Sequence, residues 1–94
     1  SYQQPPLPKK QRLILVIFDI PERERIKRDW LRFQLSTLGF RHLQQSVWWG
    51  QRPLPADFLH DIEKYSMMSY IHIFSVHEQG SLSAFFRRIG SPHR

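Results

Sequence analysis

The stretch "LILVIFDIPERERIKRDWLRFQLSTLGF" (Leu13–Phe40) contains the change of pattern that decides the fold. From Leu13 to Phe18 every residue is apolar and most are branched. The run is continuous rather than alternating, which predicts a strand buried on both faces. After Asp19 the pattern becomes helical. Pro21 suits a first turn, Glu22 and Glu24 favour the positive helix end, and Gly39 is a C-terminal stop. At about 100° per residue, Ile26, Trp30 and Phe33 share one line and Leu31, Leu35 and Leu38 another, a wide apolar arc. Arg25, Arg28 and Arg32 fall together on the opposite side.

Asp19, where the strand empties into this helix, has two readings. Asp19-Ile20-Pro21-Glu22 fits the aspartate form of a capping box, with the carboxylate accepting a backbone N–H at the helix start. Alternatively, a carboxylate at a strand end near a two-fold axis meets its own copy. The two would repel, and a hard cation such as Mg²⁺ relieves that repulsion while keeping several waters. A metal-held water between basic ridges can attack a phosphodiester. We expect Asp19 both to cap the helix and to lie near the axis. No other carboxylate sits at an obvious ligand spacing from it.

Outward from this stretch, "FRHLQQSVWWG" (Phe40–Gly50) predicts a short hairpin breaking near Gln45–Ser46. "PLPADFLHDIEKYS" predicts a second helix opened by Pro55, with Phe58, Leu59, Ile62 and Tyr65 on its apolar face. "YIHIFSVHEQG" is a strand of mixed faces, and "SLSAFFRRIG" a final strand or short helix. The proline-containing "SYQQPPLPKKQR" (Ser1–Arg12) is an extended tail or linker. The expected organisation is therefore a linker at 1–12, one domain at 13–90 and a tail at 91–94. The order β-α-β-β-α-β gives an α+β, ferredoxin-like fold with an antiparallel sheet and both helices on one face. The first strand is apolar on both sides, so the other sheet face needs a cover. A homodimer packed sheet against sheet is the expected one.

The chain has 94 residues, 40% hydrophobic, with a formal net charge of +6. That balance favours a folded domain with a polyanionic partner, DNA or RNA. The arginine stripe is either a solvated face or a phosphate-tracking ridge, and Arg52 in "GQRP" adds a charge near a strand end. Arg87, Arg88 and Arg94 add more in the tail. Cysteine is absent, which excludes disulfides and thiolate metal sites. His42, His60, His72, His77 and His93 have no ligand spacing, and Ser46 in "QQSVWW" lacks a nucleophile-elbow pattern. Trp48 and Trp49 should face opposite ways, one into the core and the other toward dimer or domain packing. The longest apolar run is too short for a bilayer and no signal-peptide pattern precedes it, so a cytoplasmic location is expected.

The order of these motifs resembles the small CRISPR-associated adaptation protein family. The shared marks are the apolar strand ending in Asp19, the basic helix, Gly39-Phe40, and Gln44 or Gln45 with Ser46-Val47-Trp48. "FDIPE", "RDWLR", "LGF" and "SVW" resemble still more closely the central domain of PaaX-type (phenylacetate catabolism) repressors, which has the same fold. The first resemblance implies a Mg²⁺-assisted nuclease in some members, with Asp19 of both protomers on the metal. It also implies a dimer that bridges the CRISPR integrase across duplex DNA. The second implies a non-catalytic dimerisation and scaffold domain, with DNA read by a winged-helix domain elsewhere. The start at Ser1 and the proline-rich opening suit a fragment that begins in a linker, whereas the length suits a stand-alone adaptation protein. The stand-alone reading is the expectation, and the repressor domain the alternative.

Overall fold

The computed structural model describes residues 2–5 and 12–76. The expected terminal element at 81–90, His77, His93 and the tail arginines lie outside the described residues. The elements run β1 (Leu13–Phe18), α1 (Arg25–Thr37), β2 (Arg41–Gln44), β3 (Val47–Gly50), α2 (Ala56–Lys64) and β4 (Ile71–Val76). The sheet order is β2-β3-β1-β4, and every neighbouring pair is antiparallel. This is the ferredoxin-like α+β sandwich.

Register sorts the side chains into two faces. Val16 pairs with Trp48 and with Ile73, and Phe18 pairs with Ile71. Because side chains alternate along a strand, Ile14, Val16, Phe18, Trp48 and Ile71 share the helix-covered face. They pack with Leu31, Leu35, Phe58 and Ile62 in one core. Trp49, one residue along, joins Leu13 on the opposite face with Leu15 and Val76 against them. Trp49 is thus buried within the chain itself, at 6% exposure.

Local chemistry sets the helix ends. At the end of α1, Gly39 N–H bonds Ser36 O at 3.0 Å and Phe40 N–H bonds Leu35 O at 2.9 Å. This is a Schellman cap, and Gly39 supplies its left-handed residue with φ 86°. The end of α2 repeats the motif through Ser66 N–H to Glu63 O at 3.0 Å and Met67 N–H to Ile62 O at 2.9 Å. Here the left-handed position is Ser66, at φ 59°. A serine pays a steric cost there that glycine does not. Ser66→Gly is therefore expected to stabilise the fold by roughly 0.5–1 kcal/mol, read as a raised urea midpoint with an unchanged slope.

Two sequence expectations need correction. The apolar arc of α1 is narrower than its pattern: Ile26 is 83% and Phe33 64% exposed. Leu31 and Leu35 face the sheet, and the α2 flank is filled by Trp30. Trp30 stacks on Phe58 at 5.7 Å and meets Tyr65 edge-on at 5.5 Å, which leaves Ile26 and Phe33 beyond the packed arc. The capping box at Asp19 also does not form. Asp19 and Ile20 continue as extended chain, with Asp19 N–H on Tyr70 O at 2.9 Å and Ile20 buried. A single 3-10 turn, Glu22–Glu24, precedes α1, and neither it nor α1 has a side-chain cap.

Candidate functional site

The sheet face away from the helices carries a strip of apolar side chains. Leu15 pairs with Trp49 on one side and Phe74 on the other, and Ile17 pairs with Val47 and His72. Leu15, Ile17, Val47 and Val76 are half-buried, while Phe74 on β4 is 50% exposed. The strip crosses three strands, with Arg41 opposite Trp49 at its β2 end. The doubly apolar β1 predicted such a face.

Asp19 sits just past the end of β1 and is exposed. Several side chains gather at this end of the sheet. Phe18 N–H bonds Ser46 O at 3.1 Å, and Arg32 Nε donates to Gln45 O at 3.1 Å. Trp48 Nε1 donates to the same carbonyl at 3.0 Å, and the Arg32 guanidinium lies 6.0 Å from the Phe18 ring centre. Arg25 and Arg28 both turn to Glu22, at 3.6 Å and 3.1 Å. The three arginines therefore share a region but are partly engaged within the chain. Arg52 is not with them. Ile17 pairs with Val47 and Ile14 with Gly50, so Arg52, two residues beyond Gly50, lies toward the opposite end of the sheet from Asp19. There it donates to the Gln4 side chain.

The Glu22 carboxylate is exposed, so its ion pairs with Arg25 and Arg28 hold little energy and can be exchanged for phosphate. If the stripe tracks phosphates, replacing Arg25, Arg28 and Arg32 together by alanine flattens the dependence of duplex affinity on salt. The expected change in log–log slope is about 0.9 for each phosphate no longer neutralised. Unchanged binding by the triple variant would mark the stripe as a solvated face.

A magnesium site does not fit one protomer. Its donor set is the Asp19 carboxylate, and among the described residues no group of three His, Cys, Asp or Glu side chains converges. A Mg²⁺ ion held by one carboxylate keeps most of its waters, and a second Asp19 across a two-fold axis would add a second protein oxygen.

A junction that the sequence did not reveal ties α1 to the segment before β4. Lys27 Nζ pairs with Glu24 Oε1 at 2.8 Å and donates to Tyr65 O at 2.8 Å. The Tyr70 hydroxyl donates to the other Glu24 oxygen. The bond from Lys27, then that from Tyr70, holds the Glu24 carboxyl below its ordinary range. Its carboxylate in turn pushes the Tyr70 phenol up. The i,i+3 pair Glu24–Lys27 is legible in the sequence. Tyr70, 46 positions from Glu24, is not. A carboxylate with a lowered folded pKa stabilises above its unfolded value, and that contribution is lost as pH falls through the folded one. Glu24→Gln should therefore remove part of the acid-side loss of stability, seen as a flatter thermal midpoint between neutral and acid pH.

Among the described residues no helix is long and apolar enough to cross a membrane. The family model described as the PaaX protein central Cas2-like domain matches residues 10–84. No curated protein and no solved structure matches the chain.

Proposed function

Because the chain belongs to the family of the PaaX protein central Cas2-like domain, we propose that it is the dimerisation and scaffold module of a PaaX-type transcriptional repressor. The observation that carries this reading is the apolar strip on the open sheet face, which includes the half-exposed Phe74. A face of this kind gains by meeting a second copy, since burying apolar area is worth about 25 cal/mol per Å². In this role the domain sets the spacing and two-fold symmetry of DNA-reading domains, and its own basic residues supply contacts to phosphate.

One observation favours a second reading, the CRISPR adaptation subunit. The Asp19 carboxylate caps neither helix and is exposed. It is available to share Mg²⁺ with a partner's copy and to support phosphodiester cleavage. Asp19→Asn separates the two. Asparagine keeps the shape, and with no cap to lose the fold should change by less than about 0.5 kcal/mol. The scaffold reading predicts no Mg²⁺-dependent cleavage of DNA or RNA by either protein. Cleavage by the parent that disappears in Asp19→Asn would overturn it in favour of the nuclease.

A further inference from the structure

The first described residues are docked on the helical layer rather than trailing from it. The Tyr2 ring meets Phe58 edge-on at 5.1 Å, and its hydroxyl donates to Asp61 Oδ2 at 2.7 Å. Burial, reinforced by that bond to Asp61, pushes the Tyr2 phenol well above its ordinary value. Two residues on, the Gln4 amide bridges the end of α1 and the loop after β3. Its Nε2 donates to the Leu38 carbonyl and its Oε1 accepts from Arg52.

These contacts are selective. An extended segment points residues i and i+2 the same way, and Tyr2 and Gln4 are half-buried while Gln3 is exposed. The notch for Gln4 offers one acceptor, the Leu38 carbonyl, and one donor, the Arg52 guanidinium. A carboxamide satisfies both, whereas a carboxylate has no proton for the carbonyl and an ammonium no acceptor for the arginine. The notch floor is open because residue 39 is glycine: a Cβ there would come within 3.1 Å of Gln4 Nε2. Pro5 restricts Gln4 to extended backbone, so little chain entropy is lost on docking.

We infer that Phe58, Asp61, Leu38 and Arg52 form a docking site for an extended aromatic-x-glutamine segment, and that the chain's own Tyr2–Gln4 is its occupant. The site lies on the helical layer, away from the apolar strip, so both surfaces can be filled at once. It fixes where the chain before β1 approaches the domain. It also engages one nitrogen of the Arg52 guanidinium through Gln4 Oε1.

The test uses the full chain carrying Tyr2→Ala and Gln4→Ala, with a labelled peptide of residues 1–8 as the probe. The double variant should bind the peptide saturably. The parent, its site filled in cis, should bind it roughly tenfold or more weakly. A peptide with the same two alanines should bind neither. Failure of the double variant to bind, or equal binding by variant and parent, would overturn the inference. A second measurement does not depend on that variant. In the parent, the Gln4 side-chain amide should resonate away from free-glutamine positions and return to them in Arg52→Ala. Free-glutamine positions in the parent would equally overturn it.

Discussion

Phe74→Arg should raise the dimer dissociation constant by at least about a hundredfold, or roughly 2.7 kcal/mol, while leaving the folded protomer intact. Phe74 is 50% exposed on the open face of β4, so the substitution removes little from the protomer's own core. In a two-fold interface each change counts twice. Two guanidinium groups would be pressed against Leu15, Ile17 and Val76, beside which the described residues of β1 and β4 place no carboxylate, and an unpaired buried charge costs several kcal/mol. Phe33→Arg is the control. Phe33 is also an exposed phenylalanine, at 64%, but it lies on α1 on the other side of the sheet. Its replacement should leave association unchanged. If Phe33→Arg dissociates the protein and Phe74→Arg does not, the interface runs through the helices.

The largest expected loss of stability comes from Phe58→Ala, at about 3–5 kcal/mol. Phe58 is fully buried in α2. It stacks with Trp30 of α1 at 5.7 Å and carries Tyr2 edge-on at 5.1 Å, so truncation opens a cavity where three segments meet. For a domain of this size that is a large share of a total near 5–15 kcal/mol. The urea midpoint should fall steeply with little change in slope. Leu59→Ala, the half-buried neighbour on the same helix, should cost clearly less. Equal losses at the two positions would mean that Phe58 is not the keystone between the helices.

The parts of this fold that were legible in the sequence are those set by local backbone chemistry and patterning. The unbroken run Leu13–Phe18 announced a strand that is apolar on both faces. Gly39 marked the end of α1, Pro55 the start of α2, and the polar pair Gln45–Ser46 the hairpin turn. Trp48 and Trp49 were assigned to opposite faces by alternation alone. The features that stayed hidden depend on chain segments far apart in sequence. Ile26 and Phe33 fit the helical period, but period does not say how much of the arc the sheet and α2 will cover. Asp19 fits a capping box by spacing, yet its N–H is drawn to Tyr70 O and the chain runs on extended past the position a cap requires. Tyr2 and Gln4 sit in a proline-containing stretch with the composition of a linker, and only Asp61, Leu38 and Arg52 give them a place. At the candidate site, the grouping of Arg25, Arg28 and Arg32 followed from helical spacing. The i,i+3 pairing of Arg25 with Glu22 is equally local, whereas the tie of Arg32 to Gln45 and the separation of Arg52 are not.

The central claim is that this domain is a dimer built on its open sheet face. Sedimentation equilibrium of the unmodified chain at micromolar concentration tests it most directly. The predicted result is a mass of twice the 11.4 kDa chain, falling to the single-chain value in Phe74→Arg. A single-chain mass for the unmodified protein, unchanged across the concentration range, would contradict it.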